Sequence, residues 1–151
     1  MSEVEDPWQP GRSAVRVVCV DGQGRVLLLK WRGPEADYWE PPGGGVDPGE
    51  SPEAGARREF HEETGLPGSA VTDTVVEVRR DFAWFGKPAP RVELFYLARV
   101  EEAQAAAPVT LSAWEVGKYV ESQWFTVADL ADVDAHVEPP DLPEILRTLT
   151  S

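Results

Sequence analysis

The sequence predicts an α/β sandwich, and three observations carry that reading. β-rich apolar runs precede an early helical segment at 52–64, further β-rich runs follow it, and a second helical stripe closes the chain. At 151 residues the chain is the size of one ordinary domain, long enough to bury about two-thirds of its unfolded surface. Residues 1–11 are polar and carry prolines, so they read as a flexible lead-in, with a single domain over 12–151.

The elements follow in order. Residues 14–20 and 25–31 are β-rich and are joined by Asp21-Gly22-Gln23-Gly24, a turn cluster that favours a hairpin. The run Val26-Leu27-Leu28-Leu29 has no polar alternate and suggests a strand buried on both faces. Residues 32–50 are rich in Gly and Pro and read as a loop. Ser51 can cap a helix that has Pro52 at its first position, and Gly65 can close it. Residues 71–80 and 92–100 read as strands separated by a loop, and 119–125 as a short strand. Thr126 and Asp129 form a capping-box pattern for a brief helix. Leu142, Ile145, Leu146 and Leu149 then make one apolar stripe behind Asp141, a core-facing surface.

Composition restricts the function. Lys and Arg total 14 against 27 Asp and Glu, a formal charge of -13. Such a chain repels nucleic-acid backbones and anionic membranes, so neither is expected as a partner, and an anionic substrate needs a cation as mediator. The single cysteine, Cys19, cannot form an internal disulfide and reads as a buried strand thiol. With no apolar leader or membrane-length run in sight, the expectation is a soluble cytoplasmic protein.

The stretch Arg58-Glu59-Phe60-His61-Glu62-Glu63-Thr64-Gly65 is electrostatically odd. On a helix Glu59, Glu62 and Glu63 stand at i, i+3 and i+4 and share a face, where like charges cost a few tenths of a kcal/mol per pair. A solvated acidic face is the plain explanation. Against it stands the upstream run Trp39-Glu40-Pro41-Pro42-Gly43-Gly44-Gly45, whose glycines permit close backbone approach. Clustered carboxylates are the hard oxygen ligands that Mg²⁺ or Mn²⁺ prefers, and Mg²⁺ shares its coordination sphere with substrate phosphates. Arg58 can pair with Glu50 and fix the loop to the helix; Phe60 and Leu66 read as core anchors. His61 falls on the side away from the glutamates.

Gly44, five residues, Glu50, seven residues, then the stretch from Arg58 to Gly65 and Leu66 resembles the signature box of the Nudix hydrolases at every defined position. Seven fixed identities would coincide by chance about once in 10⁸ starting positions at ordinary residue frequencies, so chance is no competitor. The resemblance implies a mixed β-sheet between helices and hydrolysis of a nucleoside diphosphate linked to another moiety. It implies that Glu59, Glu62 and Glu63, with the Gly44 carbonyl, are ligands of Mg²⁺ or Mn²⁺, and that Glu50 and Arg58 hold the box together. A divalent ion there neutralises the diphosphate and lowers the pKa of an attacking water. The resemblance leaves the general base open: Glu59 or Glu63 first, Glu115 next, with Glu101, Glu102 and Glu121 behind them. It also leaves a homodimer open, since homodimers are frequent in the family.

Substrate contacts are read from proximity. Trp84 and Phe85 lie in the expected loop, where an aromatic ring could stack on a base for about 1–3 kcal/mol. Tyr38 and Trp39 sit near the glycines, and Arg12, Arg16, Lys30 and Arg32 offer charge to phosphate or ribose. The proline that marks many ADP-ribose hydrolases beyond the box has no counterpart at Asp81-Phe82-Ala83-Trp84. That lowers ADP-ribose without naming a replacement, and nucleoside triphosphates, including oxidised ones, and other nucleotide diphosphate derivatives stay open. Two other classes compete: a non-catalytic Nudix-like nucleotide sensor or interaction module, which has no need of repelling carboxylates, and a calcium-binding protein, whose Asp-rich twelve-residue loop is missing.

Overall fold

The computed structural model describes residues 14–84, 87–113, 115–133 and 136–151, so the lead-in expected at 1–11, and Arg12, lie outside the described residues. The first expected hairpin is present. β1 (Ala14–Val20) and β2 (Val26–Trp31) meet at Val20 and Val26 in antiparallel register. Asp21 makes the turn by accepting the N–H groups of Gln23 and Arg25 at 2.9 and 2.8 Å, and Gly24 takes the positive φ of 78° that the turn requires. Leu27, Leu28 and Leu29 are all fully buried, as the unbroken apolar run predicts.

Beyond that turn the two strands part. β1 takes β4 (Gly43–Gly45) as its antiparallel partner, while β2 pairs with β3 (Tyr38–Glu40) and β7 (Tyr119–Phe125). The segment 32–50, expected as loop, thus contains two three-residue strands. Glycine and proline masked them: β4 is three glycines, and a Cβ at Gly43 would lie 2.1 Å from the Val15 carbonyl oxygen, so only glycine can lie flush on β1.

β5 (Val71–Trp84) and β6 (Lys87–Arg99) form a long antiparallel hairpin, and β6 lies parallel to β1. The loop expected over 81–91 is therefore corrected. The ladder continues through Asp81↔Pro90 to Trp84↔Lys87, because each strand supplies the other with partners that local composition does not reveal. β8 (His136–Val137) adds a parallel partner to β3, giving the order β5-β6-β1-β2-β3-β8.

Helices cover both faces. Val15, Val17, Leu27 and Tyr96 pack with Ala56 and Phe60 of α1 (Pro52–Thr64). Val18, Val20, Leu28, Phe95 and Leu97 pack with Leu142, Ile145, Leu146 and Leu149 of α3 (Leu142–Thr150). The short α2 (Val127–Ala131) carries the expected capping box between Thr126 and Asp129. Cys19 is buried, and no helix among the described residues is long and apolar enough to cross a membrane.

Candidate active site

α1 begins and ends where its sequence dictates. Ser51 Oγ accepts the Ala54 N–H at 3.1 Å, Pro52 occupies the first turn, and Gly65 closes the helix at φ 76° by donating its N–H to the His61 carbonyl. Thr64 Oγ1 donates to the Phe60 carbonyl and accepts the Leu66 N–H, tying the exit to the helix. Phe60 and Leu66 are buried, which fixes the rotation of α1 and turns Glu59 and Glu63 toward β4. His61 Nδ1 lies 3.0 Å from the Leu66 carbonyl oxygen, away from the acidic cluster.

Arg58 binds the loop to this helix. Its Nε and Nη2 donate to Glu50 at 2.8 and 2.9 Å, Nη2 also reaches the Gly45 carbonyl at 3.1 Å, and Nη1 lies 2.6 Å from Glu59 and 3.1 Å from Glu62. The fork-shaped donor set explains why an arginine serves here. The hydrogen bonds from Arg58 hold the Glu50 carboxyl below the usual range.

Glu63 is 1% exposed, and its Oε1 accepts the Gly43 N–H at 2.9 Å. Its Oε2 is buried with no hydrogen-bond partner. Carboxylate oxygens of Glu59, Glu63 and Glu115 lie within 4.8 Å of one another. Burial, followed by the proximity of Glu115, pushes the Glu63 carboxyl well above its ordinary pKa. Burial also pushes Glu59 up to about 7, against the opposing pull of Arg58. Glu59 and Glu63 cannot both ionise comfortably without a cation between them. An orphaned buried oxygen and three converging carboxylates are the donor set that a hard divalent ion takes, and the residues fit such an ion. A Cβ at Gly44 would lie 2.3 Å from Glu59 Oε2, so the glycine strand is also what leaves that carboxylate its room.

Glu115 arrives from a distant loop. Ala107 N–H bonds to the Thr64 carbonyl, and Val109 and Thr110 N–H bond to the Glu62 carbonyl at 2.7 and 3.0 Å, seating the loop on the C-terminal end of α1. The Ser112 N–H then holds Glu115 Oε1 at 3.0 Å. Arg32 secures the far side, donating its N–H to the Lys118 carbonyl and Nη1 to the Gly117 carbonyl.

The remaining sequence candidates are scattered. Glu62 is half-buried, turned to Arg58, and outside the three-carboxylate cluster. Glu101, Glu102 and Glu121 are exposed. Trp39 packs edge-on to Phe125 at 4.9 Å in the core, with Lys30 over its ring at 5.6 Å. Tyr38 is half-buried beside Glu40, and burial, followed by that carboxylate, pushes its hydroxyl above the ordinary tyrosine range. Arg16 is 2% exposed, with Nη1 3.2 Å from the Pro41 carbonyl and 3.3 Å from Glu40. Its charge is thus enclosed within the protein. Trp84 stands at the end of β5, and Phe85 lies outside the described residues.

The pattern of the NUDIX domain matches residues 10–149. The chain belongs to the NUDIX family. This Nudix pyrophosphohydrolase is 29% identical to an RNA pyrophosphohydrolase of Roseobacter denitrificans over 133 residues, spanning 82% of the chain and 81% of that relative. It is 38% identical over 66 residues to the asymmetrical bis(5'-nucleosyl)-tetraphosphatase of Mus musculus, covering 43% of the chain and 44% of that enzyme. Among solved structures, a MutT NUDIX hydrolase from Burkholderia pseudomallei superposes with a TM-score of 0.67 at 28% identity, over 95% of this chain and 99% of that one. The mixed sheet between helices is the Nudix fold, as the box implies.

What spacing along the box could not supply is the company its glutamates keep. The Gly43 N–H on Glu63 and the burial of Arg16 behind it both depend on β4 lying against β1, an element that three glycines do not announce.

Proposed function

We propose that this Nudix enzyme is a Mg²⁺-dependent hydrolase of a phosphoanhydride bond in a small nucleotide, a nucleoside triphosphate or a related diphosphate derivative. The observation that carries this reading is the convergence of Glu59, Glu63 and Glu115 around the unpartnered Glu63 Oε2. Glu59 and Glu63 hold the ion, with Gly44 and Glu62 at its margin, and Mn²⁺ can replace Mg²⁺ in such an oxygen set. The bound ion supplies charge neutralisation for the diphosphate and acidifies water. Glu115 Oε2 accepts the proton of the attacking water, while Ser112 holds the other oxygen in place. Glu50 and Arg58 keep helix and glycine strand in register.

The relatives' names point to two substrate sizes, an RNA end and a dinucleoside tetraphosphate. The net charge of -13 favours the smaller, because every additional phosphodiester adds repulsion. The test is a panel of nucleoside triphosphates, dinucleoside polyphosphates and 5'-triphosphorylated RNA, with Mg²⁺ or with EDTA, read by release of phosphate, pyrophosphate and nucleoside monophosphate. Glu63→Gln and Glu115→Gln each retain a native circular-dichroism spectrum and lose turnover by at least about 10²-fold, the low end of what a catalytic proton acceptor contributes. A Glu63→Gln enzyme at wild-type rate, or equal turnover in EDTA, removes this reading.

A further inference from the structure

We infer that Arg16 is a positioning residue for Glu63, acting from β1 through the backbone of residues 41–43, an inference that rests on the metal-site reading above. The connection is short. Arg16 Nη1 donates to the Pro41 carbonyl at 3.2 Å, and the Val17 N–H donates to the Pro42 carbonyl at 2.8 Å. Arg16 pairs in register with Gly43, and a Cβ at Gly43 would lie 2.9 Å from both the Cα and Cδ of Arg16. The arginine stem is therefore the surface on which Gly43 rests. The N–H of that same glycine holds Glu63 Oε1 at 2.9 Å and leaves Oε2 as the unpartnered oxygen of the cluster.

The location explains the need for such a brace. Pro41 and Pro42 cross from β3 to β4 at the place where β1 and β2 have parted, outside the strand pairing of either element. Arg16 spans the gap. Glu40, the last residue of β3, lies 3.3 Å from Nη1, and Glu93 of β6 lies 3.9 Å from Nε. Glu93 also accepts from Arg80 at 2.7 Å, and Arg80 reaches the partly exposed Glu138 at 2.8 Å, so the guanidinium stands in a chain of alternating charge that is buried as far as Arg80. A side chain so enclosed touches the substrate only through what it holds. It acts on the donor geometry of Glu63 as outer groups act on metal ligands generally.

Arg16→Lys tests this, because lysine keeps the charge but cannot serve the Pro41 carbonyl and two carboxylates from a planar fork. Mn²⁺ is titrated calorimetrically into the nucleotide-free protein, Gly43 amide exchange is followed by NMR, and kcat and KM are measured at saturating Mn²⁺. The expected result is cooperative thermal unfolding, Mn²⁺ binding weaker by about 10-fold, faster exchange at Gly43, a lower kcat and an unchanged KM. Unchanged Mn²⁺ affinity and Gly43 exchange overturn the inference, and so does a raised KM at unchanged Mn²⁺ affinity, which would make Arg16 a substrate contact. Should Arg16→Lys fail to fold, Glu40→Gln loosens the same guanidinium: weakened Mn²⁺ binding supports the inference and wild-type binding overturns it. Wild-type protein that takes up no Mn²⁺ overturns both this inference and the function on which it rests. Mn²⁺ bound equally by wild type and variant overturns the inference alone.

Discussion

A methyl group at position 44 would sit 2.3 Å from Glu59 Oε2, and the carboxylate, as the free end of a side chain, is the part that must yield. Gly44→Ala is therefore expected to fold with a thermal midpoint close to wild type while binding Mn²⁺ about 10-fold more weakly, a loss of the size seen when a ligand is pushed off its orientation. Calorimetric titration beside a melting curve checks both halves. At this scale the sequence was legible only in part. Helical spacing put Glu59, Glu62 and Glu63 on one face, but spacing cannot tell that Arg58 engages Glu62 while Glu63 sinks to 1% exposure. Glu115 was one of several later glutamates, because no periodicity links it to α1. Trp39, drawn toward substrate by its nearness to the glycines, is a core residue against Phe125.

Among the elements, α1, α2 and α3 were readable because their signals are local. A serine cap, a proline in the first turn and a glycine at the exit specify α1, and an apolar stripe specifies α3. Leu146 is 5% exposed between that stripe and the sheet. Leu146→Ala should cost about 2–5 kcal/mol, lowering the urea midpoint. Activity below the transition should persist, since α3 covers the face of the sheet opposite α1. An equal loss of activity in fully folded protein would contradict that separation. The strands β3, β4 and β8 were hidden for the converse reason. Their three, three and two residues are strand-like only because β1, β2 and β3 present open edges to them.

For the whole molecule, a net charge of -13 and an anionic substrate set a kinetic signature. Repulsion slows encounter, and salt relieves it, the Debye length shrinking from about 30 Å at 0.01 M to about 8 Å at 0.15 M. At saturating Mg²⁺, kcat/KM should rise over that range, more steeply for a 5'-triphosphorylated oligonucleotide than for a nucleoside triphosphate; a fall with salt would show that a local cationic patch governs capture. One further consequence belongs to the seating of the 107–110 backbone on the last carbonyls of α1. Glu63 and Glu115 are separated by roughly fifty residues, so their meeting is a long-range closure that must await the strands between them. The complete constellation is then a late event in self-assembly. On the proposed assignment, a half-made chain carrying the entire box has helix and glycines in hand, yet lacks the carboxylate proposed to take the proton.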